Sequence, residues 1–259
     1  MNDKILTLGL ISGLAIMAGQ ANAADIGFDD ASAAAYIDGW DNFDDGNTGG
    51  GPGMGAWVFG GGAVTGVNVD ISSSLGVGGG TGAIDSDGKA FKIHDTSGNF
   101  VDIFRFLDPD GLDAGQVFSM DMAVNFRGGF KGMDLRDSSD ATVFNLNIGG
   151  DDYTVSQATS GNGSLGNAYS NDTVFSLEFV QTSLAGGTWT VTRSGGINDV
   201  DSGTYTGRAR SIKLYSGSQG SFGEDAIYYN NFSVTLVPTP SALGIGALGL
   251  GCLLGRRNR

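Results

Sequence analysis

An all-β fold, an antiparallel β-sandwich of the jelly-roll kind, is what this sequence predicts for its central stretch. Three observations point there. Apolar residues alternate with polar ones over short runs. Clusters of Gly, Asp, Asn and Ser separate the runs, and no convincing helix-period segment lies between the two ends. A period of two with one polar face marks antiparallel strands that bury one side and wet the other.

In chain order, residues 1–23 read as a secretory signal helix. Lys4 precedes an apolar run from Ile5 to Met17, and Ala21-Asn22-Ala23 supplies the small-x-small cleavage site for signal peptidase after export by the Sec machinery. Residues 24–236 then form one domain of ordinary size. Within it, two glycine- and aspartate-rich stretches, 38–55 and 76–82, have little to bury and read as long surface loops, with Tyr36, Trp40, Phe43 and Trp57 docking the first onto the sandwich. Early strands are expected at Ala56 to Phe59, Val64 to Ile71, Ala90 to His94 and Phe100 to Leu107. The alternation is plainest further on. Phe118, Met120, Met122, Val124 and Phe126 face one way, with Ser119, Asp121 and Asn125 on the other. Met133 to Arg136, Phe144 to Ile148, Tyr153 to Val155, Phe175 to Phe179, Trp189 with Val191, Ile212 with Leu214, and Phe232 to Leu236 continue the theme. The total is about ten to twelve short strands, the count of a sandwich.

Composition narrows the chemistry. The whole chain carries a formal charge of −14; without Lys4, Asp3 and the three C-terminal arginines the body holds 10 basic and 27 acidic residues, or −17. Nucleic acid and anionic lipid need clustered Lys and Arg, so neither is an expected partner. Nearly all the acid is aspartate, with Glu178 and Glu224 the two glutamates, which suits turns more than regular elements. The single cysteine, Cys252, lies in the tail, so the body has no disulfide, thiol nucleophile or cysteine metal site.

The C-terminal 23 residues, 237–259, form a separate signal. Val237-Pro238-Thr239-Pro240 is a rigid elbow, an apolar run of 14 residues follows from Ala242, and Arg256, Arg257 and Arg259 close the chain. The run is shorter than the roughly 20 residues of a stable span, so it predicts a short membrane helix held briefly, with the arginines on the cytoplasmic side. A plain C-terminal anchor is the alternative. The elbow, apolar run and arginines together resemble the PEP-CTERM sorting signal of exosortase substrates in Gram-negative bacteria, with Thr239 where the family usually has glutamate. The resemblance implies an exosortase-like enzyme that cuts near Pro240 after transient membrane association. It also implies delivery to the envelope or extracellular matrix, where extracellular polysaccharide is a partner. The layout of the body, with its closing stretch Asp225 to Val234, is similar to concanavalin A-like and laminin-G-like sandwiches.

Candidate sites are few. His94 beside Asp95 has no Gly-x-Ser-x-Gly elbow to serve. Neither Glu178 nor the Glu224-Asp225 pair matches a Glu-x-Asp-x-x-Glu carboxylate set, so no enzyme is expected. Trp40, Tyr228 and Asn230 are the candidates for sugar binding, from a wider pool with Phe43, Tyr169 and Tyr205. No cofactor is expected, calcium apart. Asp108, Asp110 and Asp113 offer three carboxylates over six residues, against the ordinary reading of a Pro-Asp-Gly turn. The expectation is therefore an exported, non-enzymatic envelope or matrix protein, the alternative being a lectin-like module.

Overall fold

The computed structural model describes residues 24–40, 53–60, 67–75, 84–95, 99–107, 110–124, 126–150, 152–166, 173–195, 197–219 and 225–237. The chain separates into two units, one of Ala23–Val237 and one of Met1–Asn22 with Pro238–Arg259. The second unit, which holds the signal helix and the short membrane helix expected from the sequence, lies outside the described residues, as do the loop stretches 41–52 and 76–83. Among the described residues no helix is long and apolar enough to cross a membrane.

The first unit is an antiparallel β-sandwich. Its strands are β1 (Ala24–Asp29), β2 (Trp57–Gly60), β3 (Val67–Ser72), β4 (Ala90–Asp95), β5 (Phe100–Phe106), β6 (Gln116–Val124), β7 (Phe130–Asp137) and β8 (Thr142–Asn147). They continue as β9 (Thr154–Ser156), β10 (Gly163–Ser164), β11 (Thr173–Ser183), β12 (Gly186–Ser194), β13 (Asp199–Thr206), β14 (Ala209–Gly217) and β15 (Ile227–Leu236). A 3-10 turn, Ala34–Tyr36, follows β1. Eight strands make one sheet in the order β13-β12-β11-β6-β15-β4-β3, with β1 also paired to β15; seven make the other, β10-β9-β8-β7-β14-β5-β2. Each described strand pair is antiparallel.

The alternation read from the sequence sets the inside face. Phe118, Met120 and Met122 of β6 and Phe175, Leu177 and Phe179 of β11 meet Met133 and Leu135 of β7, Phe144 and Leu146 of β8, and Ile212 and Leu214 of β14 in one core. At one end of the core Trp40, Trp57, Phe91 and Phe232 pack ring to ring, with centroids 4.8–5.8 Å apart. Burying such side chains on both inner faces is worth ~1.5–3 kcal/mol each and dispenses with disulfides.

The central strand β15 carries a bulge between Asn230 and Ser233, with Asn231 at φ 55. Asparagine tolerates this left-handed backbone, and the extra residue re-aims the side chains on either side of it. Asn230 turns under the neighbouring loop, accepting a hydrogen bond from the Ala31 N–H (2.9 Å) and donating to Ile84 O (2.9 Å) and Lys89 O (3.0 Å). Asn231 turns to the outer face, and this sets up the groove described next.

Candidate functional site

The outer face of the eight-stranded sheet carries a groove of about 360 Å³. Its polar lining comes from four neighbouring strands: Asn231 of β15, Ser119 and Asp121 of β6, Ser176 and Glu178 of β11, and Thr190 and Thr192 of β12. Register puts them in rows. Ser176 lies opposite Asp121 on one side and Thr192 on the other, and Glu178 lies between Ser119 and Thr190. Alternation explains the β6, β11 and β12 members, each the outward residue of a strand whose other residues fill the core, and Asn231 joins them through the bulge in β15.

The groove is ordered at its β15 side. Asn231 donates from Nδ2 to Asp121 Oδ2 (2.9 Å) and accepts at Oδ1 from Ser86 Oγ (3.1 Å). Ser119 and Ser233 share a hydroxyl hydrogen bond of 2.7 Å. Asp121 and Glu178 stand as diagonal neighbours on adjacent strands, a cross-strand spacing of about 7 Å. The lining thus combines carboxylate acceptors with hydroxyl and amide groups that both donate and accept, and Glu178 and Thr192 remain exposed.

The residues singled out from sequence lie elsewhere. Trp40 is 1% exposed and sits in the aromatic end of the core, so its faces are taken by Trp57, Phe59 and Phe91. Tyr228, 2% exposed, packs with Ile84, Ala90, Ala123 and Ala226 in a small buried cluster. Asn230 is fully buried in the hydrogen bonds given above. None of the three presents a surface to a ligand, and the structure corrects that assignment. Asp113 pairs with Arg208 (2.7 Å) and donates its N–H to Gln116 Oε1 (2.7 Å), Asp110 is exposed, and Asp108 lies outside the described residues. Among the described residues no group of three His, Cys, Asp or Glu could hold a metal ion. Of the sorting motif, Val237 is described; it is exposed and donates its N–H to Gly115 O (2.8 Å). Pro238, Thr239, Pro240, Arg256, Arg257 and Arg259 lie outside the described residues, as do Ala21 and Ala23 of the signal cleavage site.

No family model matches the chain, and no curated protein matches it. Solved structures similar to it include the marine PL-14 alginate lyase from Aplysia kurodai, at 13% identity and a TM-score of 0.41 over 83% of this chain and 100% of that one. Lectin I-B4 from Griffonia simplicifolia matches at 8% identity and a TM-score of 0.36, over 66% of this chain and 93% of the lectin. A sialidase matches at 14% identity and a TM-score of 0.41 over 66% of this chain, which spans 17% of that protein. These are likenesses of fold. Because enzymes stand among them, the expectation that the chain is not an enzyme is corrected. The motif test behind it looked for carboxylates on one strand. The groove brings Asp121 and Glu178 together from two strands, an arrangement no local motif records.

Proposed function

We propose that the chain is an exported β-sandwich module that binds a hydroxyl-rich polysaccharide in the outer groove of its eight-stranded sheet. The observation that carries this reading is the in-register row of hydroxyl, amide and carboxylate groups from β15, β6, β11 and β12. Sugar hydroxyls each donate and accept, so a lining of Ser, Thr, Asn, Asp and Glu satisfies them in pairs, and the groove's size falls within the range of ligand sites. Delivery rests on the two ends of the chain: signal cleavage after Ala23, then sorting at Val237-Pro238-Thr239-Pro240 by an exosortase-like enzyme, with the arginines lost. Intact mass of the envelope-associated protein tests the sorting, and retention of Arg259 counts against it.

The binding test is a polysaccharide pull-down with Asp121→Asn, Glu178→Gln and Asn231→Ala. Loss of binding with an unchanged unfolding midpoint supports the groove; variants that bind like the parent, or a parent that binds no glycan, reject it. The diagonal placement of Asp121 and Glu178 favours a second reading, in which the bound chain is also cut. Two carboxylates from adjacent strands at one groove supply the pair of groups, a general acid and a general base, that cleavage of a glycosidic bond uses. New reducing ends that appear with the parent and vanish with Glu178→Gln support cleavage; intact polymer in both rejects it.

A further inference from the structure

The outer face of the seven-stranded sheet is built differently, from aromatic rings laid over glycines. Phe130 of β7 reaches across Gly217 of β14, where a Cβ would overlap the ring tip. Phe104 of β5 leans over Gly60 of β2, and Tyr215 of β14 over Gly132 of β7. A strand glycine marks a place where another group approaches closely: a ring at Gly217 and Gly60, and at Gly132 the Leu146 carbonyl with the Tyr215 hydroxyl beside it. Gly217 has Phe100 opposite it on β5 and Phe130 on β7. These two rings remain 44% and 45% exposed, on strands about 10 Å apart. Val58 and Phe106 extend the apolar surface on the same face.

The charged groups on this face are already matched. Lys213 pairs with Asp134 (2.9 Å) and Asp102 (3.8 Å), and Arg136 pairs with Asp140 (3.1 Å) while its guanidinium covers Phe104. Arg210 lies over Phe106. A charged partner would have to break these contacts. A second copy of the chain would bring another body of −17, and anionic polymers or membranes are repelled on the same ground. An uncharged partner meets neither cost, and the exposed rings offer it stacking faces.

We propose that this face is a second docking surface, separate from the groove on the other sheet, on which sugar rings of a neutral polysaccharide stack against Phe100 and Phe130. The test is co-sedimentation with insoluble β-glucan and, separately, with alginate, combined with sedimentation velocity of the protein alone. The variants are Phe100→Ala, Phe130→Ala, Gly217→Ala and the groove pair Asp121→Asn/Glu178→Gln. In Gly217→Ala the added methyl meets the far end of the Phe130 side chain, so the ring moves while the fold persists. The expected result is glucan binding by the parent and by the groove variant, weakened about tenfold in each of the three ring variants. Unimpaired glucan binding by the ring variants overturns the proposal. So does binding of alginate alone, or a dimer that Phe130→Ala abolishes. Loss of all binding in the groove variant with none in the ring variants assigns the ligand to the groove and removes this face.

Discussion

Asp29 and Arg105 form an ion pair across the sandwich, with neither side chain exposed. Asp29 belongs to β1 of the eight-stranded sheet and Arg105 to β5 of the seven-stranded one, so the pair ties the sheets together. Tyr36 donates its hydroxyl to Asp29 Oδ2 (2.6 Å), Trp57 Nε1 donates to Tyr36 (2.8 Å), and Arg105 Nε donates to Gly55 O (2.9 Å) while its guanidinium lies 4.5 Å from the Trp57 ring. Removing one partner leaves the other charge buried and unmatched. Asp29→Ala is expected to cost about 3–5 kcal/mol, and Asp29→Leu with Arg105→Met markedly less than the sum of the singles. A urea-denaturation cycle measures both; additive losses would show that the charges act independently.

The pH dependence of stability follows from the acidic groups. Burial pushes the Asp102 carboxyl above its usual value, with Lys213 opposing and Asp134 adding repulsion. Asp29 and Asp201 are raised as well, each mainly by burial. A carboxyl raised in the folded state holds its proton more readily there. Its contribution is therefore full below the unfolded value and is lost as pH rises through the folded one. Asp137 runs the other way: partial burial pushes it up, but hydrogen bonds from Ser139 and Ala141 outweigh that and hold it low. Its contribution is lost only in stronger acid. The urea midpoint is expected to rise as pH falls through the folded values of these raised carboxyls toward their ordinary one, helped by the shrinking negative charge, with a shallower rise in Asp102→Asn. A midpoint that falls steadily over that interval contradicts the assignment.

Asn230 gives a sharper test of what the sequence could show. Its side chain bonds the buried Ala31 N–H and Ile84 carbonyl and the half-buried Lys89 carbonyl. Asn230→Ala leaves the Ala31 N–H unmatched, while Ile84 O keeps the Asn231 amide and Lys89 O keeps the Ser86 N–H, and it is expected to cost about 1–3 kcal/mol. Any effect on glycan binding should track unfolding, so binding measured well below the midpoint should be unchanged. A variant with parental stability and no binding would return Asn230 to the list of ligand contacts.

The strands with strong alternation were legible because their side chains obey one period, and Phe118 to Val124 or Phe175 to Phe179 needed nothing else. β1 and β13 were not. Ala24–Asp29 is too short and acidic to declare itself, and Asp199–Thr206 is an edge strand whose side chains are mostly exposed. The groove is half legible: Ser119 and Asp121 stand on the polar face of their alternation, and Ser176 and Glu178 alternate with Phe175, Leu177 and Phe179, but their meeting depends on strand order, which links β6 to β11 across a long stretch of chain. Asn231 was beyond reach, since it depends on a bulge that shifts register within β15. Trp40 and Tyr228 misled because aromatic residues near loops look the same in sequence whether they lie over a core or inside it.

The edge strand β13 carries the last prediction. Residues Thr159 and Ser160 donate their N–H groups to Thr204 O (2.8 and 3.1 Å), and the Thr204 N–H returns a bond to Ser160 Oγ (3.0 Å). Trp189 of β12 holds this cover in place by donating Nε1 to Ser160 O (3.1 Å). Gly203, between them, has no room for a methyl: a Cβ would meet the Ser160 carbonyl and the Trp189 ring, neither of which can yield without lifting the cover. An uncovered edge presents unpaired backbone groups next to exposed Val200, a template for pairing with another chain. Gly203→Ala is expected to lower stability by about 1–3 kcal/mol and to raise concentration-dependent aggregation in the native range. Light scattering with and without the substitution checks it. A variant that loses stability but stays monomeric would mean that the −17 charge, and not the 159–160 cover, keeps this edge from pairing.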